Sequence, residues 1–372
     1  MIDDRRERDE SLMRKAILLA EFGRGRVEPN PRVGAIVARG DRCVGRGWHA
    51  RFGGPHAEPN ALAEAGDAAE GATVYVTLEP CAHEAKKTPP CTQALIDAKV
   101  ARVVIAAEDP NPQTTGLGSR RLQEAGIEVT TGVLADEAAK LNPRFEHWLS
   151  SGRPFVIAKW AMTLDGKIAD VERGSKYITG PDSRRLVHEI RGSVDAVAVG
   201  VGTVLADDPD LTVRDVTSTR EPVRVILDST LRTPVLARVV TSSEVMPTWI
   251  VTTARASAEK RQALESAGCR VLVTEAEAGH VDLGAAFRLL KAEGLSRILL
   301  EGGGEVHTSA FRAGVVDHVM AFVAPKLLGG RAAPGPLGGD GVRLIADPLP
   351  VEEWTTTPLG EDVLLEGFID PA

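Results

Sequence analysis

Apolar residues recur along the first 140 positions in short runs of strand length, and amphipathic segments separate these runs. In the first amphipathic segment, Leu12, Ala16 and Leu19 fall on one helical face. Strands are predicted at 33–39, 44–48, 73–79, 102–107 and 127–131, and helices at 11–22, 56–69, 92–98 and 117–125. This alternation predicts a three-layer α/β domain with a mostly parallel or mixed sheet.

The pattern restarts after residues 141–154, where two prolines, a glycine and paired serines predict a linker. A run at FVIAKWAMT opens the second half. Further strands are predicted at 194–199, 223–227, 248–252, 270–273, 297–301 and 319–323, and helices at 182–191, 257–267, 282–293 and 305–313. The sequence therefore predicts a second α/β domain, and we place the two domains at 1–148 and 153–372.

Length and composition narrow the class of protein. The chain has 372 residues, of which 43% are apolar and 26% charged, and at roughly 150 residues per domain two domains are expected. No apolar run approaches the roughly 18 residues that a membrane span needs. The first ten residues carry both charges and lack the apolar core of a secretory signal, so we expect a cytoplasmic protein that does not bind membranes.

The charge balance argues against nucleic acid as a partner. The net charge is −8, and residues 1–150 hold 20 Lys and Arg against 22 Asp and Glu, a local net charge of −2. Proteins that bind nucleic acid present basic surfaces, often with aromatic side chains, whereas aromatic residues make up only 4% of this chain. A small-molecule substrate is therefore expected.

The four cysteines are too few for a disulfide scaffold, but two of them combine with a histidine to suggest a metal site. His56 begins a helical segment, Cys81 follows an apolar strand, and Cys91 lies ten residues further on. One imidazole and two thiolates suit Zn²⁺, and three protein ligands leave a fourth position for water, as in catalytic zinc sites. Cys43 and Cys269 are expected in hydrophobic cores.

Glu58 completes this constellation. It lies two residues after His56, where its carboxylate can stand beside water at the open position without binding the metal. Because zinc lowers the pKa of water to about 7, Glu58 can accept the proton and pass it to a departing amino group. Each of these residues alone is as readily structural. Together, the order His-x-Glu, Pro-Cys and Cys is the signature of zinc-dependent nucleobase deaminases.

The second half carries weaker signals for binding phosphorylated ligands. Glu301 and Gly302–Gly304 follow an apolar strand and precede a helical stretch, where glycines let backbone N–H groups approach a phosphate. The run VGVGTVLADDPDLTVR follows another strand and supplies a hydroxyl and the carboxylate of Asp207 for a nicotinamide nucleotide. Arg191 and Arg214 are suited to a sugar phosphate. Each arginine alone is as readily a solvated surface charge.

Several longer strings resemble those of a known family. The first half contains PNPRVGAIV, HAE, GATVYVTLEPCAH, TPPC and DPNPQTTGLG, and the second contains KWAMTLDGKIA, YITG, DAVAVGVGTVLADDPDLTVR, LDS, EGGG and APKLLGG. In this order, and over nearly the whole chain, they resemble the bifunctional deaminase–reductases of riboflavin biosynthesis. The resemblance implies an N-terminal domain with the cytidine-deaminase fold and a C-terminal domain that resembles dihydrofolate reductase.

The same resemblance implies Zn²⁺ in the first domain, NADPH in the second, and a set of site residues. Those implied to bind the pyrimidine in the first domain are Asn30, His49 and His83. Those expected against NADPH are Ala161, Tyr177, Thr203, Asp207, Ser229, Gly303 and Gly304. Those expected against the substrate of the second domain are Ser175, Arg191, Leu211, Arg214 and Glu301. Glu58 is assigned to catalysis in the first domain, and Lys159 and Asp207 in the second.

The implied substrate is a phosphorylated pyrimidine, 2,5-diamino-6-ribosylamino-4(3H)-pyrimidinone 5′-phosphate. It is deaminated hydrolytically, and its ribosyl group is then reduced to give 5-amino-6-(5-phosphoribitylamino)uracil. A homodimer or tetramer is suggested by analogy with the family alone.

Two positions depart from the family pattern: the segment between Cys81 and Cys91 is one residue longer than usual, and Tyr177 stands where tryptophan is common. The longer segment keeps one alternative open, a reductase whose deaminase domain is only a structural or regulatory module. Two further alternatives are a deaminase acting on nucleic acid, which the acidic chain disfavours, and a nucleotide sensor that binds without turnover.

Overall fold

The computed structural model describes residues 2–24, 26–82, 89–111, 114–172, 174–175, 177–218, 221–339 and 348–369. The chain divides into an N-terminal unit, Met1–Ser151, and a C-terminal unit, Gly152–Ala372. Within the described ranges, no helix combines the length and apolar character that crossing a membrane requires.

A five-stranded mixed sheet forms the centre of the N-terminal unit. Its strands are β1 (Gly34–Arg39), β2 (Arg42–Trp48), β3 (Thr73–Leu78), β4 (Arg102–Ala107) and β5 (Glu128–Thr131). Its helices are α1 (Ile2–Ala20), α2 (Ala57–Ala65), α3 (Cys91–Asp97), α4 (Leu117–Glu124), α5 (Ala135–Ala139) and α6 (Pro143–Ser151), with 3-10 turns at Glu21–Gly23 and Gly66–Ala69. The strand order is β2-β1-β3-β4-β5, with β1 antiparallel to both neighbours and β3, β4 and β5 parallel.

Helices cover both faces of this sheet because successive strand residues point to opposite sides. On one face, Val37 and Val76 belong to a core that includes α2, α3 and α4. On the other face, Ile36 and Val104 pack with α1 and α5. The predicted three-layer α/β fold is confirmed.

Two glycines of β2 let α2 approach the sheet closely. A Cβ atom at Gly47 would lie 2.2 Å from the carbonyl oxygen of Ala57, and one at Gly45 would lie 2.3 Å from that of Ala61. Any larger residue would therefore push α2 away from the sheet. This packing fixes the start of α2, where two of the predicted site residues lie.

The first helix is longer than predicted, because it begins at Ile2 and the amphipathic pattern began only at residue 11. The residues before position 11 are mostly charged, so hydrophobic periodicity does not reveal them. Asp9 nevertheless docks this part of α1 on the sheet. Its carboxylate accepts hydrogen bonds from Tyr75 at 2.8 Å and from both terminal nitrogens of Arg102 at 2.9 and 2.7 Å.

The segment 141–154, predicted to be a linker, contains the division between the two units, but most of it is helical. Pro143–Ser151 is the helix α6. Proline is well suited to a first helical position, because its fixed φ matches the helix and its missing N–H has no helical partner there.

The C-terminal unit is built on a nine-stranded sheet. Its strands are β6 (Phe155–Thr163), β7 (Ala196–Gly200), β8 (Val223–Leu227), β9 (Thr248–Thr253), β10 (Arg270–Thr274), β13 (Arg297–Gly302), β14 (His318–Ala324), β15 (Glu352–Leu359) and β16 (Asp362–Phe368), and β11 (Ala276–Glu277) and β12 (His280–Val281) form a separate hairpin. Its helices are α7 (Pro181–Arg191), α8 (Val201–Asp207), α9 (Arg238–Thr241), α10 (Ala258–Ser266), α11 (Leu283–Ala292) and α12 (Gly304–Arg312).

Seven strands of this sheet are parallel, in the order β10-β9-β8-β7-β13-β6-β14, and β16 and β15 continue it in antiparallel pairing. The central strands are buried on both faces, which explains their continuous apolar runs. Since parallel strands end at the same edge, the loops that follow β7, β8, β9 and β13 gather there. In α/β sheets this edge is the usual ligand-binding position.

The sequence pattern did not predict the hairpin of β15 and β16. Most residues of β15 are exposed, and its sequence EEWTTTPL contains no apolar run. A strand at an exposed sheet edge needs few apolar residues, so the sequence of β15 does not mark it as a strand. β15 is defined by its hydrogen-bonded pairing with β16, which a pattern of apolar residues does not show.

Candidate active sites

Three potential metal ligands converge in the N-terminal unit. His56 immediately precedes α2, Cys81 follows β3 after two residues, and Cys91 is the first residue of α3. The His56 Nδ1 atom lies 3.1 Å from the Cys91 Sγ atom and 3.7 Å from the Cys81 Sγ atom. All three ligand atoms lie within 4.8 Å of one another, so they are close enough to bind one ion.

The distances and the chemistry of this triad fit zinc. Tetrahedral Zn²⁺ with bonds of about 2.3 Å to sulfur and 2.0–2.1 Å to nitrogen separates the two ligand types by about 3.5 Å. The hydrogen bond from the Cys91 thiol lowers the pKa of Cys81 to about 3, and the same bond raises the pKa of Cys91. The site therefore already favours one thiolate, and a divalent cation favours the second.

Glu58 lies beside this triad in the first turn of α2, with only 3% of its surface exposed. Burial raises the pKa of its carboxyl group, although His56 opposes the shift. Its side chain also interacts with Cys91 by a hydrogen bond. A buried carboxyl whose pKa is raised above its usual value holds a proton more readily, which suits a group that accepts a proton and passes it on, as a general acid–base does.

Two of the residues implied to bind the pyrimidine lie next to the triad. The His49 ring packs edge-on against the His56 ring, with 5.2 Å between centroids. Its Nδ1 atom is 2.9 Å from the carbonyl oxygen of Pro55, and its Nε2 atom is 3.4 Å from the side-chain nitrogen of Asn30. His49 is buried and Asn30 is half-buried, so the two form a polar wall beside the triad, and the third residue, His83, lies outside the described residues.

Glu79 is a buried site residue that the sequence analysis missed. Its carboxylate oxygens accept backbone hydrogen bonds from Gly116 and Ser119, both at 2.9 Å, and from Asp109 at 3.4 Å. A Cβ atom at Gly118 would lie 2.1 Å from the carbonyl oxygen of Pro80, so the loop packs directly on this segment. Glu79 thereby ties the end of β3, two residues before Cys81, to the start of α4.

A large open cavity of about 1370 Å³ lies in the C-terminal unit. Single small-molecule sites typically measure about 300–1,000 Å³, so this volume suits a cofactor together with a substrate. The predicted residues that line it are Lys159, Ala161, Ser175, Tyr177, Arg191, Thr203, Asp207, Arg214, Ser229, Glu301, Gly303 and Gly304. Leu211 is not among the lining residues: it is buried, with a positive φ of 54°.

A buried charge cluster lines this cavity. Glu301 accepts two hydrogen bonds from Arg191, at 2.5 and 2.8 Å, and lies 3.7 Å from the Nζ atom of Lys159. Burial works to raise the pKa of Glu301, but Arg191 and Lys159 outweigh it and lower that pKa to about 2. Burial lowers the pKa of Lys159, and the charge of Arg191 adds to that shift. The cluster is thus one fixed anion between two cations.

Glycines and small polar groups form the wall between β7 and β13. A Cβ atom at Gly302 would lie 3.0 Å from the Thr203 hydroxyl, and Gly303 has a φ of +85°, which favours glycine. The Ser175 hydroxyl is 3.4 Å from a carboxylate oxygen of Asp207. Backbone N–H groups at a glycine-rich strand-to-helix turn are suited to a cofactor phosphate, so this wall fits a dinucleotide.

Tyr177 and Arg214 line the cavity with exposed side chains. The Tyr177 ring is 67% exposed, and the guanidinium carbon of Arg184 lies 4.6 Å from its centroid. The backbone N–H of Arg214 donates to Nδ1 of His188 at 3.2 Å, while its side chain lies 3.4 Å from Asp210. Both side chains therefore remain accessible to a ligand.

Comparisons with known proteins match both units. A family model described as the cytidine and deoxycytidylate deaminase zinc-binding region matches residues 6–107, and one described as the RibD C-terminal domain matches residues 154–365. Riboflavin biosynthesis protein RibD of Aquifex aeolicus is 42% identical over 97% of this chain and 98% of its own length. The RibD protein of Escherichia coli is 40% identical over 87% of this chain and 89% of its own length.

Solved structures match the whole chain as well. RibD of Acinetobacter baumannii, form 1, has a TM-score of 0.74 at 36% identity and covers 98% of this chain and 99% of its own. A Thermotoga maritima protein described as a diaminohydroxyphosphoribosylaminopyrimidine deaminase/5-amino-6-(5-phosphoribosylamino)uracil reductase has a TM-score of 0.67 at 35% identity, with coverages of 98% and 100%.

The folds and the two sites define a bifunctional enzyme, a zinc-dependent deaminase joined to an NADPH-dependent reductase. The chain belongs to the RibD family of riboflavin-biosynthesis proteins. The predicted family, fold class, enzyme class and both cofactors are confirmed, whereas the roles assigned to single residues remain predictions.

Proposed function

We propose that the N-terminal unit hydrolytically deaminates 2,5-diamino-6-ribosylamino-4(3H)-pyrimidinone 5′-phosphate, and that the C-terminal unit reduces the ribosyl group of the product to ribityl. The observation that carries this proposal is the presence of two separate sites, a His/Cys/Cys triad beside Glu58 and a cavity around Glu301. The activity named for the Thermotoga maritima relative supports the choice of substrate.

In the deaminase site, we assign His56, Cys81 and Cys91 as the ligands of the zinc ion. When bound, zinc supplies a Lewis acid and lowers the pKa of water to about 7. Glu58 takes a proton from the attacking water and transfers it to the departing amino nitrogen, so that ammonia leaves. Asn30 and His49 hold the edge of the pyrimidine by hydrogen bonds and orient it toward Glu58.

In the reductase site, NADPH would supply a hydride when bound, and the residues that line the cavity would hold it beside C1′ of the ring-opened ribosylamine. Lys159 holds a proton for the imine nitrogen, which must take one up when C1′ receives the hydride. Asp207 and Ser175 align cofactor and substrate. Arg214 binds the substrate phosphate, and Arg191 fixes the carboxylate of Glu301 in the centre of the site.

The remaining assignments follow the same proposal. The deaminase occupies residues 1–148 and the reductase residues 153–372. The enzyme is cytoplasmic, acts on a small phosphorylated molecule, binds neither membranes nor nucleic acid, and forms a homo-oligomer.

The experiment that tests the proposal follows ammonia release and NADPH consumption separately in one assay with the diaminopyrimidine substrate. Glu58→Gln should abolish ammonia release and leave NADPH oxidation intact when pre-deaminated substrate is supplied. Asp207→Asn should do the reverse. Loss of both activities in either variant would contradict separate sites, and a wild-type protein that oxidises NADPH without releasing ammonia would favour a reductase with an inactive deaminase unit.

A further inference from the structure

One wall of the C-terminal cavity carries two arginines that the proposed mechanism does not use. Arg232 lies in the loop after β8 and Arg255 in the loop after β9, and both side chains line the cavity. The tip of the β11–β12 hairpin, at Ala278 and Gly279, closes this wall. We infer that this arginine wall binds a phosphate on the adenosine end of the dinucleotide and thereby selects NADPH over NADH.

Neither arginine is neutralised by a carboxylate of the described residues. Other exposed arginines of this unit are paired, such as Arg261 with Glu265 at 2.9 Å and Arg270 with Glu293 at 2.7 Å. The described residues offer Arg232 no hydrogen bond or ion pair, so its guanidinium is available to an anion. None of the described lining residues from the loops after β8 and β9 or from the hairpin is acidic.

Arg255 is held in place by the hairpin tip. Its Nη1 atom donates a hydrogen bond to the carbonyl oxygen of Gly279 at 3.0 Å. A Cβ atom at Gly279 would lie 2.4 Å from the same nitrogen, and the φ of this glycine is +84°. The hairpin thus approaches the guanidinium as closely as glycine allows and leaves its other donors for a ligand.

Ser229 supplies a third donor beside the two arginines. Its Oγ atom accepts a hydrogen bond from the backbone N–H of Val281 at 3.0 Å. The hydroxyl proton of Ser229 is therefore left to donate toward the cavity, which Ser229 lines. One hydroxyl and two guanidinium groups match a phosphomonoester, because charge-assisted and bidentate hydrogen bonds are the strongest such contacts.

The order of the strands separates this wall from the reaction centre. Glu301 lies on β13, and the order β13-β7-β8-β9 places Ser229 two strands away and Arg255 three strands away. At about 4.8 Å per strand, these separations are about 10 and 14 Å. If one end of an extended ligand lies at Glu301, the group bound at the arginine wall is at the opposite end of that ligand. NADPH carries its additional phosphate at that far end, on the adenosine ribose.

This inference rests on the proposed reductase function and is tested by comparing NADPH with NADH. The variants are Arg232→Gln and Arg255→Gln, with Arg261→Gln as the matched control, and kcat/KM is measured for each nucleotide with pre-deaminated substrate. Each wall variant should lose on the order of ten- to a hundredfold in kcat/KM for NADPH, with little change for NADH. The dissociation constant of 2′-AMP, measured by calorimetry, should rise in parallel, whereas that of 5′-AMP should not change.

Equal losses with both nucleotides, or an unchanged preference for NADPH in both variants, would overturn the inference. A wild-type enzyme that does not discriminate between the nucleotides would overturn it too, and one that oxidises neither would refute the reductase function itself. Ammonia release by the N-terminal unit and the midpoint of thermal unfolding report on folding of each variant.

Discussion

Replacing Glu79 should weaken zinc binding although Glu79 does not touch the metal site. In Glu79→Ala, the backbone N–H groups of Gly116 and Ser119 lose the carboxylate that accepts from each at 2.9 Å. Glu79 directly follows β3 and lies two residues before Cys81. Between them, the carbonyl oxygen of Pro80 packs against Gly118. Without the Glu79 carboxylate, both the start of α4 and the segment bearing Cys81 lose their shared anchor.

The size of the effect follows from these bonds. A hydrogen bond to a charged group contributes about 1.5–3 kcal/mol, so two such bonds amount to about 3–6 kcal/mol, less what water entering the vacated space restores. Only part of this lost free energy is expected to appear as weaker zinc binding. Changes to residues that support metal ligands typically lower metal affinity by about 10- to 100-fold, and we expect zinc release from Glu79→Ala to accelerate within that range.

Zinc release to a coloured chelator measures this directly, without reference to catalysis. Glu79→Gln keeps one acceptor oxygen and should give an intermediate rate. Glu124→Ala, which removes an exposed glutamate from the other end of α4, should release zinc like the wild type. If Glu79→Ala folds and retains zinc as long as the wild type does, the anchoring argument is refuted.

Three other predictions address stability, pH and metal removal. Asp9→Ala should lower the unfolding free energy of the N-terminal unit, measured by urea denaturation, by about 3–5 kcal/mol, because Arg102 and Tyr75 lose a buried partner. A loss below about 1 kcal/mol, which is typical of an exposed ion pair, would contradict this prediction. Burial works to raise the pKa of Asp9, but Arg102 and Tyr75 lower it below its usual value, so in the wild type this stabilisation should be present above about pH 4 and decline as the pH falls through the lowered pKa. Because burial lowers the pKa of Lys159, kcat for NADPH oxidation should fall on the alkaline side below the ordinary lysine value of about 10.4, and a flat profile up to that pH would argue against proton donation by Lys159. Removing zinc with a chelator should abolish ammonia release and leave NADPH oxidation of pre-deaminated substrate unchanged; parallel loss of both activities would count against independent sites.

The sequence predicted the metal triad because its chemistry is local. His56 and Glu58 are two positions apart, and Cys81 and Cys91 each lie next to a predicted element boundary. The additional residue between the cysteines does not separate them, since the hydrogen-bonding distances place both sulfur atoms against the same imidazole nitrogen. Residue type and spacing were therefore sufficient to find the site.

Other features depend on contacts between distant segments, which no local pattern encodes. The partners of Glu79 lie 37 and 40 residues further along the chain. The first half of α1 is docked on the sheet by the ion pair between Asp9 and Arg102, which lie 93 residues apart. The arginine wall is assembled from loops that meet only because β8 and β9 are neighbours in the sheet.

The measurement that tests the account most directly is zinc K-edge X-ray absorption on the purified protein, combined with its metal content. We predict one zinc per chain, bound by two sulfur atoms at about 2.3 Å and by nitrogen or oxygen atoms at about 2.0–2.1 Å. A Cys81→Ser variant should lose one sulfur from that shell. A protein without zinc, or a zinc shell with no sulfur or with four, would contradict the assignment of His56, Cys81 and Cys91.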